Sequence, residues 1–409
     1  MATMSEPTYD GVWPKAPLGV QRRRHAARLD DLRGKRIAFV WEYMFRGDEL
    51  FPELERHLRD TYGCEVIGYE AFGNTHGPDE AQVLADLPAK LRDWRGPAGG
   101  HGAGGCGGPK PAALGGPPPA QTAGGPPGAL VRKGFRRTAL ATGRGLGLDG
   151  LPLAVLRGHV DTQSHDEMIE LFREHTIEQI VRGLTEAHDV DDQVSAEPSA
   201  LEVVASGGID DIHRLFLDRG WTDGSPFVPP TIARVQALLD GTGHDPFRVI
   251  GQARPSGRDI TVWSVAVNAV MAGLEQRHLP VVLALAEVLA NPQYGVEHSG
   301  NTTGADALVV VSGPSIAELG FNSEGGALRE GTHANTAVGR WLRLYLRNVC
   351  GFTTAEHDKA TFGNSTRVVL AEHEATLASI GWPTLATDLG ATPGTDTVAV
   401  ARMNGGLIV

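Results

Sequence analysis

Between Gly96 and Leu130 the chain carries 13 glycines and 8 prolines in 35 residues, with Leu114 and Leu130 as its only large aliphatic side chains. Glycine loses the most backbone freedom on ordering, and proline lacks the N–H that a helix interior or a central strand requires. So little apolar surface cannot offset that entropy, and the composition predicts a segment without regular structure. The segment falls where an α/β domain would place central strands. Two readings meet it: a flexible loop around Cys106, or a coding frame that slips near Gly96 and returns near Gly134.

At 409 residues the chain exceeds the usual size of a single core, so two domains are expected. A net charge of -12 without a compensating basic cluster argues against a nucleic-acid surface. The densest basic run, residues 21–28, reads as a solvated arm, and residues 132–137 form a weaker second run. Three cysteines, Cys64, Cys106 and Cys350, show no paired spacing, which suits a reducing compartment and excludes a CxxC zinc site. No run approaches the roughly 18–20 apolar residues of a membrane span. A cytoplasmic protein with a small-molecule substrate and no nucleic-acid or membrane partner is expected, and a homo-oligomer is compatible with the composition.

Along the chain, residues 1–31 are polar, rich in arginine and broken by proline, and predict an irregular arm. Residues 35–43 (KRIAFVWEY) predict a strand, 48–62 a helix with Leu50, Leu54 and Leu58 on one face, 64–69 a strand and 79–94 a helix around Pro88. Alternating strands and helices open a parallel sheet. Residues 135–150 read as a short helix and turn, LPLAVL at 151–156 as a strand, and 166–184 as an amphipathic helix. The first domain is therefore placed at 32–188 and an acidic linker at 189–209. A second mixed α/β domain follows at 210–409. In it Thr231 caps a helix, residues 260–274 and 281–289 are helical, 307–311 is a buried strand, 335–349 a helix, and 367–371 and 397–401 are strands. The fold class expected is α/β in two modules, the first an open parallel sheet disrupted by the Gly/Pro-rich segment.

The opening RIAFVWEY strand, the loop and helix over 157–185, and the later phrase DGSPFVPPTIARV together resemble the UGSC-like proteins. That family is named for a selenocysteine-or-cysteine, Gly, Ser, Cys motif. The resemblance implies an α/β N-terminal domain and places Cys106, in CGGP, at the first motif position. Pro109 then stands where the second cysteine belongs, so a dithiol cycle within the segment is not supported.

Three groups of residues are candidates for chemistry. Cys106 in its glycine-rich turn is a candidate nucleophile. The loop after LPLAVL, between strand and helix, offers Asp161 and His165 to a ligand at a sheet's carboxyl edge. His159, Asp161 and His165 are also the ligand types of a divalent metal, although their spacing matches no established motif and no cofactor is implied. The third group surrounds the buried strands of the second domain. Asn301, Thr302, Ser312, Ser315, Asn322, Asn335 and Arg367 are candidate substrate contacts, and Glu324, His333, Glu372 and His373 candidate acids and bases. Parallel strands would bring Ser312, Ser315, Glu372 and His373 to one rim, with the 322–335 loop reaching over it. These groups predict an enzyme of lyase or hydrolase type acting on a small polar, carboxylate-bearing metabolite. A cysteine-dependent or redox enzyme and a non-catalytic binding protein are the alternatives. The Asp223–Pro226 turn and the Pro229–Thr231 lead read as architecture.

Overall fold

The structure, a computed structural model, describes residues 6–23, 25, 27–95, 103–106, 128–186, 197–299, 305–329, 331–358 and 368–404. The chain separates into two compact units, one of Val20–Val194 and one of Met1–Gly19 with Ser195–Val409.

The first strand, β1 (Tyr9–Val12), belongs to the second unit. The Val20–Val194 unit is built on β2 (Arg36–Trp41), β3 (Glu65–Ile67), β4 (Ala103–Cys106), β5 (Gly128–Arg132) and β6 (Leu153–Leu156), in the order β3-β2-β4-β5-β6. Every neighbouring pair is parallel. Period-2 alternation sorts the side chains. Ile37, Phe39 and Trp41 of β2 pack with Leu50, Leu54 and Leu58 of α1 (Gly47–Tyr62). Ala38 and Val40 pack on the other face with Leu87 and Leu91 of α2 (Glu80–Arg95). Likewise Leu130 of β5 joins the first cluster, whereas Ala129 and Val131 pack against Ala139 of α3 (Arg136–Gly145). The first face also receives α4 (His165–Leu171) and α5 (Ile177–Thr185), joined by a π-helical turn. The sheet is thus covered on both sides, as an all-parallel sheet must be.

The expected disruption of this sheet is corrected by β4 and β5, which lie inside or overlap the Gly/Pro-rich segment. Gly104 and Gly105 pair with Phe39 and Val40 on one side and with Gly128 and Ala129 on the other. A parallel ladder uses only backbone N–H and C=O groups, which glycine supplies, while the apolar faces come from β2 and β5. The expectation of irregular structure over the rest of the segment falls outside the described residues.

Gly47, at the start of α1, lies under the indole of Trp41; a Cβ there would overlap the ring. That ring is stacked on Tyr43 and donates its Nε1–H to the Met44 carbonyl at 2.7 Å, so it cannot swing aside. Gly47→Ala is expected to destabilise this unit by about 1–3 kcal/mol through overpacking. A shift of the urea midpoint for this unit measures it, and an unchanged midpoint would show that the indole yields.

The second unit opens on β1, which pairs antiparallel with β7 (Val203–Gly207). Here the structure differs from the expected irregular arm over 1–31 and linker over 189–209. The two short strands supply each other's hydrogen bonds, and Val12 and Ala205 enter the core. After α6 (Ile209–Asp218), Thr231 caps α7 (Ile232–Leu239) by accepting the Arg234 N–H at 3.3 Å. Strands β8 (Val249–Ala253) and β9 (Arg258–Thr261) form a hairpin. Thr261 and Ser264 then make a reciprocal capping box for α8 (Val262–Ala272), and Gly273 ends it in the left-handed region at φ 80°. Every residue of α8 is buried. Around it pack α9 (Leu279–Ala290) and α10 (His333–Asn348), together with a three-stranded sheet in which β10 (Ala305–Ser312) lies between β11 (Val368–Ala371) and β12 (Thr397–Asn404). Strand β10 is parallel to β11 and antiparallel to β12. Two short helices, α11 (Glu374–Ser379) and α12 (Leu385–Asp388), follow β11. Among the described residues no helix is long and apolar enough to cross a membrane.

Candidate functional sites at two carboxyl edges

Counted within its own unit, the five-stranded sheet runs second, first, third, fourth, fifth, one of the two common doubly wound orders. Such sheets bind ligands beyond their carboxyl ends, at the point where strand order reverses, which here lies between β2 and β4. The chain leaving β2 there is strained. Tyr43, Phe45 and Arg46 have φ of 58°, 64° and 56°, a region costly for residues with a Cβ. Arg46 shows what holds them. Its guanidinium donates to the Val160 and Gln163 carbonyls at 3.0 and 2.8 Å, and to both oxygens of Glu49 at 2.5 and 2.7 Å. One side chain therefore fastens the loop after β2 to the loop after β6.

Glu49, in the first turn of α1, also accepts from His165 Nδ1 at 2.6 Å. The hydrogen bonds from Arg46 and from His165 hold the Glu49 carboxyl down at about 2. An ionised carboxylate only accepts, so Nδ1 donates to Glu49 and Nε2 is the ring nitrogen turned away from it. His165 stands at the first position of α4, capped by Ser164 Oγ, which accepts the Glu167 N–H at 3.2 Å. Its side chain is 60% exposed, and Nε2 has no hydrogen-bond partner among the described residues. Asp161, in the loop before α4, pairs with Arg132 from the end of β5, whose guanidinium lies 4.3 Å from the Phe45 ring centroid. Tyr43, 44% exposed, stacks on Trp41 at 4.6 Å and meets Tyr69 edge-on at 5.5 Å, which gives this edge an aromatic floor.

Of the loop candidates, His165 is thus tied to Glu49, and Asp161 to Arg132. His159 contributes its carbonyl to a turn, accepting from Thr162 and Gln163 N–H at 2.9 and 3.1 Å. Among the described residues no group of three or more His, Cys, Asp or Glu is arranged to hold a metal ion. Cys106 ends β4 in register with Trp41 and Leu130, and its side chain lies outside the described residues.

In the second unit the parallel pairing of β10 with β11 sets Ser312 and Glu372 at carboxyl ends on one side. Ser312 Oγ donates to Glu372, and that carboxylate also accepts the Leu385 N–H at 3.0 and 3.2 Å, capping α12. His373 Nδ1 accepts the Thr376 N–H at 3.1 Å and caps α11, while its Nε2 faces Glu324 at 3.6 Å. Ser315 is taken up by Asp396, through N–H and Oγ at 2.9 and 2.7 Å. Asn335 is a brace. Its Oδ1 accepts from Asn322 N–H at 2.9 Å, and its Nδ2 donates to the Asn322 and Val369 carbonyls at 3.2 and 3.1 Å. His333 turns to the Gly273 carbonyl at 2.9 Å and stands 3.8 Å from Glu275, beside buried His278. Glu324 and His373 are therefore brought together, and the recorded partners of His333 lie in the turn after α8. Asn301, Thr302 and Arg367 lie outside the described residues.

Sequence reasoning missed Arg46, Glu49 and Arg132. The signal for the first two was local: an arginine three residues before a glutamate, at a strand-to-helix junction rich in acidic first-turn residues. Residues 10–186 match the UGSC family. That match begins in β1 and ends after α5. No curated protein and no solved structure matches the chain.

Proposed function

We propose that the chain is an enzyme acting on a small polar, carboxylate-bearing metabolite by acid/base chemistry of the lyase or hydrolase type, with His165 as the proton-transfer group. The observation that carries this reading is the 2.6 Å contact between His165 and Glu49, which leaves Nε2 open at a sheet's carboxyl edge. A carboxylate on Nδ1 fixes the tautomer, aims the ring and stabilises the imidazolium formed when Nε2 takes a proton. The neighbouring family match covers this unit and names no reaction.

The experiment is turnover of a panel of hydroxy, keto and acyl carboxylates by the parent, His165→Asn, Glu49→Gln and Cys106→Ala. His165→Asn is expected to lower turnover by about 10²–10⁴-fold, and Glu49→Gln to act in the same direction with smaller effect. Cys106→Ala is expected to leave it within tenfold of the parent. Undiminished turnover in His165→Asn sinks the reading, and a larger loss in Cys106→Ala with the fold intact transfers it to a cysteine mechanism. The 3.6 Å approach of His373 to Glu324 favours a second reading, the same chemistry at the β10–β11 rim. Loss of turnover in His373→Gln with His165→Asn unaffected selects it.

A further inference from the structure

Tyr43 follows Trp41 by two residues and stands in the left-handed region at φ 58°, where a residue with a Cβ is costly to hold. The strain at Phe45 and Arg46 has visible uses. Arg46 ties two loops together, and Phe45 packs with Phe135 under the Arg132 guanidinium. The Tyr43 ring has a different setting. It lies nearly parallel to the Trp41 indole, at 13° and 4.6 Å between centroids, so one of its faces is covered. Tyr69 stands 4.7 Å from Trp41 and 5.5 Å from Tyr43, steeply inclined to both, and therefore flanks the stack. A ring lying over the outer face of Tyr43 would be much nearer to Tyr43 than to Trp41. The residue is 44% exposed, and its outer face is turned to solvent. The base beneath it is fixed. The Trp41 indole donates to the Met44 carbonyl at 2.7 Å and lies over the bare backbone of Gly47.

We infer that the outer face of Tyr43 is a stacking platform for a planar, unsaturated ring in the substrate. Tyr43 follows the carboxyl end of β2 at the reversal of strand order, where doubly wound sheets take ligands. Three residues later comes Arg46, whose partner Glu49 holds His165. The inference deepens the reading at His165 and rests on it for the carboxylate of the substrate. A planar ring laid on Tyr43 extends the Trp41–Tyr43 stack by one member. Offset stacking then adds attraction beyond apolar burial, which a puckered saturated ring does not gain. A platform already held in place costs the ligand little side-chain ordering.

Ligand-observed NMR titrations of the full chain test this with two pairs of probes. They are benzoate against cyclohexanecarboxylate, and benzamide against cyclohexanecarboxamide. Within each pair the polar group is kept while the ring changes from planar to puckered. The planar member is expected to bind the parent about 3–10-fold more tightly. Tyr43→Phe is expected to keep that preference and Tyr43→Leu to abolish it. Tyr43→Asn, whose short amide tolerates the left-handed region, serves where Tyr43→Leu does not fold. The readout is binding, so it is decided separately from the turnover of His165→Asn. A preference in the uncharged pair alone keeps the platform and removes the carboxylate from the reading at His165. No planar preference in either pair with the parent overturns the inference. So does a preference that survives in Tyr43→Leu or Tyr43→Asn, or one that is lost in Tyr43→Phe.

Discussion

Replacing Trp341 by alanine is expected to destabilise the second unit by about 3–5 kcal/mol. Trp341 is fully buried on α10, where that helix packs against the equally buried α8. It stacks on Tyr345 with ring centroids 4.8 Å apart and donates Nε1–H to the Val265 carbonyl at 3.1 Å. Neither neighbour can collapse into the vacancy. The α8 backbone is pinned by its capping box and by Asn268, whose Nδ2 donates to the Pro14 carbonyl at 3.0 Å and whose Oδ1 accepts from Asn348 at 2.8 Å. The Val265 carbonyl retains its helical bond, so the loss is packing rather than an orphaned acceptor. Trp382→Ala supplies the control, since that indole is 67% exposed and its removal is expected to change stability by no more than about 0.5 kcal/mol. Urea unfolding followed by circular dichroism distinguishes the two; equal midpoints would show that the α8–α10 contact contributes little.

Both helices of that contact were legible in the sequence, at 260–274 and 335–349, the first because a helix buried on all sides is written almost entirely in apolar residues. The β2 strand was legible for the same kind of reason, since both faces of RIAFVW are buried. Strand β4 was not. Its identity lies in backbone pairing to β2 and β5, and AGGC has no side-chain pattern to display it. The β1–β7 pair was hidden differently. Tyr9 faces Gly207 across nearly half of the chain's length, and no local period records a partner so remote. The candidate sites divide along the same line. His165 and Ser164 were readable from a strand, a polar loop and a cap in succession. Glu49, 116 residues away from His165, became its partner only through the packing of α1 beside α4. At the rim of the second unit the strand polarity was readable. The diversion of Glu372 into capping α12, of Ser315 onto Asp396 and of His333 onto Gly273 depended on loops whose paths no spacing fixes.

Asp223→Ala is expected to cost the second unit about 3–5 kcal/mol, because it strands a half-buried guanidinium. The Asp223 side chain is 5% exposed and that of Arg340 17% exposed, joined by two bonds of 3.1 Å. Arg340 further donates to the Ser225 carbonyl at 3.0 Å, and the Ser225 N–H closes the turn on Asp223 Oδ1 at 3.1 Å. The phrase DGSP is architecture in this precise sense: its aspartate ties a turn to α10. Removing both charges together, as Asp223→Ala with Arg340→Met, is expected to recover much of the loss, since the penalty of the single change is mainly an uncompensated charge. Acid gives an independent reading. Burial pushes the Asp223 carboxyl up, but the bond and charge of Arg340, with help from Ser225 N–H and Thr222, outweigh it and hold the group below the usual aspartate range. A carboxyl depressed in the folded state contributes stability that is complete above its unfolded value, near 3.9, and is lost as pH falls through the folded one. The stability difference between parent and Asp223→Asn should therefore be constant down to about pH 4 and shrink below it. A difference that stays constant through that range would mean that the ion pair is not what holds the turn to the helix.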